Sequence, residues 1–524
     1  MSRAATAGGA ATTPARADTA AWLAVAAGTL GSFMATLDIS IVNAALPTIQ
    51  GEIGASGTEG TWISTAYLVS EIVIIPLSGW LERVFGLRTF LLIAAILFTG
   101  FSVMCGLSTN LDMMIVSRVG QGFTGGAMIP TAMTIIATRL PPSQQPIGTA
   151  MFAATAILGP VLGPIIGGWI TESYSWHYAF FLNVPICAGL IALLLYGLPA
   201  SPMRLRELRK ADWLGIFGLA IGLGGLTVVL EEGQREMWFE SALILKLTAL
   251  SAFGFLLLIV GQMTAKRPVI KLTLLFDRQF GSVFVMGLVL GMVLYGTSYV
   301  IPQFLANAAG YNALQSGSVV FISGIPSLMM MPFVPFLFKR LDVRLAVGFG
   351  FLMMALSCWI DTTLTIDSRG GAFTDSQLLR GVGQIMVMLF LNQSAISAVA
   401  PRDAGDASGL FNAARNLGGS VGLALIATVQ EKRQFYHEQT LATSIQANGV
   451  LTQERLAGMR AGFGGDGDPA AGAIRMLYGQ IQQQALVMSF NDLFVALTVG
   501  IVAAAPLVLF LRPLPKTVDP SAMH

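Results

Sequence analysis

The chain has 524 residues, of which 54% are hydrophobic and only 11% are charged. Soluble globular domains carry about 25% charged residues, so this composition excludes an ordinary soluble protein and indicates a polytopic membrane protein. The net charge of +2 offers no basic surface for nucleic acid. The three cysteines lie in separate apolar runs, without the spacing of a metal site or a disulfide framework.

Residues 1–20 are small and polar, and we expect them to form a disordered cytoplasmic N-terminus. Beyond them, apolar runs of about twenty residues, the length that crosses a bilayer as a helix, recur along the chain. Many runs follow the first one, which favours a retained helix over a cleaved signal peptide. The runs predict fourteen transmembrane helices and cover residues 22–44, 61–81, 89–108, 112–138, 146–170, 178–198, 212–231, 241–263, 281–307, 315–337, 343–363, 376–399, 405–430 and 486–511.

Lysine and arginine are concentrated in alternate loops between these runs, for example in 83–88, 204–210 and 339–344. Cytoplasmic loops carry such an excess, so we expect both termini to be cytoplasmic in a multi-pass protein of the inner (plasma) membrane. The polar segment 431–485, before the last helix, would then be periplasmic. It is either a surface for a periplasmic partner or a variable, solvated connection.

Short motifs recur at offsets of 256–262 residues. GWLERVFGLRTFL (79–91) is similar to PFLFKRLDVRLAV (335–347), and RVGQG (118–122) is similar to RGVGQ (380–384). Duplicated halves are a transporter architecture, with the substrate site at their interface near the midplane. We therefore predict an all-α membrane protein with six-helix bundles at 21–200 and 276–515, two inserted helices within 201–275, and a cytoplasmic tail at 516–524.

The first two predicted transmembrane helices each contain an acidic residue, Asp38 in the first and Glu71 in the second. An acid at a helix centre costs roughly 2.5–3.5 kcal/mol on insertion scales, and such residues usually serve a proton or substrate pathway. Tyr67 shares a helical face with Glu71, so its ring and the carboxylate together offer a surface for a cation. Alternatively, each acid is structural, capping a helix or pairing with a buried polar or basic group.

Arg118 opens the fourth predicted helix, with Gln121 one turn later. A buried arginine does not deprotonate, so it can hold a carboxylate charged and release it when helices shift. The alternative is that Arg118 extends to the membrane interface. We predict that Asp38, Glu71 and Arg118 carry proton coupling.

Glycine and proline dominate the fifth predicted helix. Glycines four residues apart let two helices touch backbone to backbone, and proline bends the helix. We expect a tight and bendable helix contact here, formed by Gly159, Pro160, Gly163, Pro164 and Gly167.

The second half offers aromatic, amide and basic groups. Tyr299 and Gln303 share one face of the ninth helix, and Asn412 and Arg415 lie in the thirteenth. Arg415 is either a site residue or an ion-pair partner. The predicted substrate-binding set is Asp38, Glu71, Tyr67, Asn43, Gln121, Tyr299, Gln303, Asn412 and Arg415.

Several motifs together resemble the major facilitator superfamily. They are LDISIVNAALPTI in the first helix, RVGQG in the fourth, the glycine–proline pattern of the fifth, and WHYAFFLNVP (176–185). The likeness covers roughly residues 22–515, and it is closest to fourteen-helix drug:proton antiporters of the EmrB/QacA type. The resemblance implies a major facilitator fold, a role for Asp38 and Arg118 in proton coupling, and a periplasmic adaptor protein and outer-membrane channel as partners.

The loop after the second helix departs from the family pattern. Gly79, Gly86 and Arg88 match its conformational motif, but Arg83 stands where the family has an acid. This puts the usual charge pairing with the eleventh helix in doubt, although the neighbouring Glu82 could substitute.

The sequence has no Walker-type phosphate loop, metal cluster or nucleophile triad, so we expect neither an enzyme nor a cofactor, and a proton gradient as the energy source. The favoured function is proton-coupled efflux of amphipathic or cationic compounds by alternating access, as the inner-membrane part of a tripartite pump. The alternatives are a dedicated transporter of one metabolite and a non-transporting membrane sensor or scaffold.

Overall fold

The computed structural model describes residues 16–265, 268–400, 403–446, 449–461 and 468–512. Within these ranges the regular structure is entirely helical. The predicted disorder of residues 1–20 falls largely on residues outside the described part, and the predicted tail at 516–524 lies wholly outside it.

A helix or helical segment coincides with each of the fourteen predicted runs, so we number them α1 to α14. The two breaks in α10 fall close to Pro326 and Pro332, since proline cannot continue the helical hydrogen-bond ladder. The bounds are Thr19–Ile53 (α1), Trp62–Phe85 (α2), Leu87–Gly106 (α3), Leu111–Arg139 (α4), Gln145–Ser173 (α5), His177–Gly197 (α6), Trp213–Glu232 (α7), Ala242–Thr264 (α8), Arg278–Ala309 (α9), Ala313–Phe321 with Gly324–Met330 and Val334–Arg340 (α10), Val343–Ile360 (α11), Thr374–Ser397 (α12), Ala404–Ser444 (α13) and Pro469–Ala504 (α14).

Ten helices of the described part are long and apolar enough to cross a membrane, and α5, bent by 41° near Pro160, makes an eleventh. The other three, α4, α12 and α13, are long enough but carry buried polar and charged side chains, among them Arg118, Arg380 and Arg415. These polar residues lower the mean hydropathy of the three helices. They are tolerated because they face the interior of the protein and not the lipid.

The first bundle is held together by close contact of α1 with α5. A Cβ atom on Gly163 would lie 2.1 Å from Cβ of Ser40, and one on Gly167 would lie 2.8 Å from the carbonyl oxygen of Ile41. Only glycine permits this approach, which is the backbone contact predicted from the spacing of the glycines.

The second bundle repeats this packing between α9 and α13. A Cβ atom on Gly418 would lie 2.0 Å from the carbonyl oxygen of Leu288, and one on Gly291 would lie 1.8 Å from that of Arg415. The α1–α5 and α9–α13 pairs therefore occupy equivalent places in the two halves, as the internal repeat predicts.

The halves meet where α2 and α4 pack on α13 and where α5 packs on α10 and α12. The inserted helices α7 and α8 pack on each other, and α7 also contacts α2 and α13. The boundaries predicted at 21–200, 201–275 and 276–515 stay predictions.

Segment 431–485 is more regular than an ordinary loop. Helix α13 continues to Ser444, a further helix covers Val450–Ala461, and α14 begins at Pro469. At its base, Asp492 accepts hydrogen bonds from Arg433 at 2.5 Å and interacts with His437 at 2.6 Å, which ties α13 to α14.

Candidate transport site between the two bundles

Asp38 lies inside the first bundle with its charge fully compensated. Its Oδ2 accepts a hydrogen bond from the Arg118 guanidinium at 2.6 Å, and both side chains are almost completely buried. The amide of Asn183 donates to Oδ1 at 2.6 Å, and that of Gln121 does so at 3.4 Å. A buried ion pair is tolerated when further hydrogen bonds satisfy both partners, as they do here.

Arg118 is held by three more groups. Its Nε donates to the carbonyl of Ile63 at 3.1 Å, and Nη1 also donates to Oε1 of Gln121 at 2.9 Å. The guanidinium carbon lies 4.2 Å from the centre of the Tyr67 ring. Arg118 therefore points inward and does not extend to the membrane interface. The Tyr67 ring, predicted to offer a cation surface together with Glu71, is already occupied by this internal cation and is fully buried.

Glu71 lies at the contact between the halves and has a different environment. It is 2% exposed. Its carboxylate lies close to Asn416 and interacts electrostatically with Arg415, both on α13 of the other half, and also with Arg118 of its own half. Among the residues that the structure describes, Glu71 forms no ion pair within 4 Å, which separates it from Asp38.

Arg415 lines a small cavity between the halves. The cavity has a volume of about 30 Å³, room for about one water molecule. Its other walls are Thr36, Ile39, Ser40 and Pro160 from the first half and Leu294 and Tyr295 from the second. The hydrogen bond shown for the guanidinium is a weak one to Sδ of Met388 at 4.0 Å. The centre of the molecule is thus closed around charged groups that belong to opposite halves.

The remaining predicted substrate residues are dispersed. Asn43 is exposed and accepts a hydrogen bond from Ser64 at 2.7 Å. Tyr299, one turn beyond Tyr295 on α9, is 40% exposed. Gln303, a turn further, accepts a hydrogen bond from Asn307 at its backbone carbonyl, 2.8 Å away.

Asn412 is fully buried on α13, and its Oδ1 has no hydrogen-bond partner among the described residues. Of the predicted set, the structure thus groups Asp38 with Gln121 and Tyr67, and Glu71 with Arg415. It leaves Asn43, Tyr299, Gln303 and Asn412 outside these two groups.

The C-terminal end of α2 closes one end of the interface. Arg83 donates a hydrogen bond to Asp406 of α13 at 2.8 Å, so a charge pairing between the halves exists with its partner on a different helix from the eleventh. Oε2 of Glu82 is buried and without a hydrogen-bond partner in the described part, so Glu82 does not provide a substitute pairing with α11.

The glycines of this motif have steric reasons. A Cβ atom on Gly79 would lie 2.9 Å from Oδ1 of Asp406, and Gly86 has a φ of +78° at the start of α3. That backbone conformation favours glycine. Arg88, the remaining motif residue, lies in the first turn of α3 and is partly buried.

Sequence reasoning missed several residues of the two groups. Asn183 and Ser102 belong to the Asp38 cluster, in which Ser102 accepts a hydrogen bond from Gln121 at 2.7 Å. Asn416 belongs to the Glu71 group. The available signal was the same for all three, namely a polar side chain within an otherwise apolar helix.

Two helical bundles related by an internal repeat, closed around buried charges at their interface, define a polytopic membrane transporter. The sequence pattern of the Major Facilitator Superfamily matches residues 28–423. The chain belongs to this superfamily and is a multi-pass inner-membrane protein, as its sequence motifs predict.

Similar proteins align over almost the full chain. The colistin resistance protein EmrB of Acinetobacter baumannii is 34% identical, with 94% of this chain and 96% of that protein covered. The multidrug export protein EmrB of Escherichia coli K12 is 32% identical, with 89% and 90% covered. The fatty acid resistance protein FarB of Neisseria gonorrhoeae is 30% identical, with 94% and 96% covered. The predicted similarity to EmrB-type proteins is confirmed.

The crystal structure of the human organic anion transporter MFSD10 (TETRAN) has the same fold. The TM-score is 0.55 at 14% sequence identity, and the match covers 93% of this chain and 100% of that one. At this identity the likeness concerns the fold alone.

Proposed function

We propose that the protein exports amphipathic and cationic compounds in exchange for protons, by alternating access between its two bundles. The printed names of the EmrB relatives, which concern multidrug export and colistin resistance, support the export of toxic compounds. The observation that carries the proposal is the position of Glu71, an acid buried at the contact of the halves without an ion pair in the described part.

Exchange follows from competition at one carboxylate. When the interface opens toward the cytoplasm, a cationic substrate approaches Glu71, and the proton bound to Glu71 leaves to the cytoplasm. When the interface opens outward, a proton takes the place of the substrate, which then leaves. For a monovalent cation exchanged one for one with a proton, no net charge crosses the membrane, so the pH gradient drives the exchange. A bound nucleotide or other cofactor plays no part in this cycle.

Arg415 makes the attraction between the two halves depend on the protonation state of Glu71. An ionised Glu71 attracts the guanidinium across the interface, and a neutral one does not. Loading of Glu71 with a proton therefore changes the attraction between the halves, which couples its occupancy to their movement.

Asp38 and Arg118 have a different part in this proposal. Their ion pair lies within one bundle and has no hydrogen-bond partner from the described residues of the other half. We assign it to holding α1, α4 and α6 together as a unit that moves. For Asp38 to exchange a proton, the hydrogen bonds from Arg118 and Asn183 would first have to open.

The extended ends of α13 and α14 support a periplasmic partner. They lie in segment 431–485 and expose apolar side chains, among them Phe435 (61% exposed), Tyr436 (54%) and Ile474 (56%). We propose that this helical surface contacts an adaptor protein, which links the transporter to an outer-membrane channel. Crosslinking from a photoreactive residue at position 435, compared with one at the lipid-side position 253, tests this contact in whole cells.

Transport of ethidium into inverted vesicles tests the proposed function. Wild-type vesicles should accumulate the dye when a proton gradient is applied and lose it when a protonophore is added. Accumulation of several unrelated cationic dyes supports multidrug export. Transport of none of them, with no proton movement on dye addition, would contradict it.

A further inference from the structure

A partly buried acid lies on an inserted helix. Glu231 is at the end of α7, one residue before the helix ends, and its Oε1 accepts a hydrogen bond from Ser420 of α13 at 2.8 Å. Helix α7 packs on α2 as well, where Gly224 faces Val69 and Val73. The inserted helix therefore rests on the two helices that carry Glu71 and Arg415.

A strip of polar groups connects Glu231 with Glu71. Ser420 lies one turn after Asn416 on the same face of α13, and Asn416 contacts Glu71. The hydroxyl of Tyr295 donates to Oδ1 of Asn416 at 3.3 Å. Tyr295 also interacts electrostatically with both Glu71 and Glu231. The two acids therefore lie at opposite ends of one strip formed by α9 and α13.

The neighbouring acid has a different environment. Glu232 accepts hydrogen bonds from Thr65 of α2 at 3.0 Å and from Arg235 at 2.8 Å. Glu231 has no cation within 4 Å among the described residues; it accepts a hydrogen bond from Ser420 and interacts electrostatically with Tyr295 and with Glu232. Glu231 can therefore change its protonation state without breaking an ion pair.

We propose that Glu231 loads the proton that the exchange uses, from the side of the membrane opposite the basic loops. Its carboxylate accepts a proton from periplasmic water and becomes a neutral acid. That proton passes to Glu71 along the strip, through the hydroxyls of Ser420 and Tyr295 and through water that bridges the gaps between these groups and Glu71; each hydroxyl accepts one proton and donates another. Glu231 ends as a carboxylate and Glu71 as a neutral acid. This inference rests on the proposed proton-coupled export, and it gives the inserted helix α7 a part in that reaction.

The test uses the full-length protein in proteoliposomes with ethidium as the probe. Two rates are compared: uptake driven by a pH gradient, and exchange of labelled for unlabelled ethidium without a gradient. The second rate needs the halves to move but needs no net proton transfer. We expect Glu231→Gln to reduce driven uptake about 100-fold, at the lower end of what a positioned proton-transfer group contributes, with exchange close to that of wild type.

Three further variants separate proton transfer from packing. Glu231→Asp keeps an ionisable group and should restore much of the driven uptake. Ser420→Ala should lower driven uptake alone, and Glu232→Gln, the matched control, should lower neither rate selectively.

Parallel loss of both rates in Glu231→Gln and Glu231→Asp would show a purely structural role and overturn the inference. Unchanged driven uptake in Glu231→Gln would overturn it too. Wild-type protein that exchanges ethidium but shows no uptake under a pH gradient would instead contradict the proposed function, on which the inference depends.

Discussion

The buried charges within one bundle have different surroundings from the buried charges at the contact between the two bundles. Asp38 receives hydrogen bonds from Arg118, Gln121 and Asn183, all in its own half. Glu71 interacts with Arg415 and Asn416 across the interface, in addition to an electrostatic interaction with Arg118 of its own half. A contact within one bundle survives movement of the halves, whereas a contact between them does not. The Asp38 cluster therefore stabilises a unit that moves, and the Glu71 group responds to the movement of the two halves.

The largest effect should follow from removing the acid at the interface. Glu71→Gln keeps the shape of the side chain but cannot exchange a proton, so accumulation of ethidium under a proton gradient should fall to that of protein-free vesicles. The measurement is dye uptake into proteoliposomes at equal protein content. Glu82→Gln changes the other acid of α2, which is partly buried. This variant is the matched control and should retain uptake. Full activity of Glu71→Gln would remove the distinction between the two clusters.

The next largest effect should follow from breaking the pair inside the first bundle. Arg118→Met leaves the buried Asp38 charge without its cation, which costs about 3–5 kcal/mol of folding free energy. We expect a lower unfolding temperature in detergent, measured by intrinsic fluorescence. The double variant with Asp38→Asn should recover most of the loss, because both charges are then gone. A double variant no more stable than Arg118→Met would show that the pair does not act as a unit.

A smaller effect should follow from crowding a contact within the bundle. Gly163→Ala places a Cβ atom against Ser40, at a separation of 2.1 Å before any relaxation, and such overpacking costs about 1–3 kcal/mol. Gly168→Ala, in the same helix, meets no atom within 4 Å. Unfolding temperatures should therefore fall for position 163 and stay near wild type for position 168. Equal values for the two variants would contradict tight packing of α1 on α5.

The smallest effect should come from the ion pair at the closed end of the interface. The Arg83 side chain is 43% exposed and that of Asp406 is 2% exposed, so solvent screens the pair from one side only, and its contribution is about 1 kcal/mol, the upper end for exposed pairs. Arg83→Ala should raise the fraction of open molecules by up to about fivefold. Distance distributions between spin labels on the two halves would measure this fraction. The exchanged pair Arg83→Asp with Asp406→Arg should restore the wild-type distribution, and failure to do so would argue against a direct charge interaction.

The helices could be predicted because bilayer thickness imposes a length on apolar runs that sequence displays directly. That α5 makes a close helix contact could be predicted from the spacing of Gly159, Gly163 and Gly167, since such a contact requires small residues at regular intervals. The position of Arg118 beside a carboxylate followed from the cost of burying a lone charge.

The partners of each acid could not be predicted. Asn183 reaches Asp38 from 145 positions away in the chain, and Asn416 reaches Glu71 from the other half. Periodicity tells which face of a helix is polar, but the neighbour of that face depends on the arrangement of all the helices. Tyr67 illustrates this, because its ring shares a helical face with Glu71 and yet packs on Arg118.

Proton release on substrate binding shows directly whether protons and substrate alternate at Glu71. Ethidium is added to purified protein in weakly buffered detergent solution, and the change in pH is recorded with a dye. We expect wild-type protein to release protons and folded Glu71→Gln protein to release none. Release from Glu71→Gln equal to that from wild type would show that protons and substrate alternate at another group and would contradict the account.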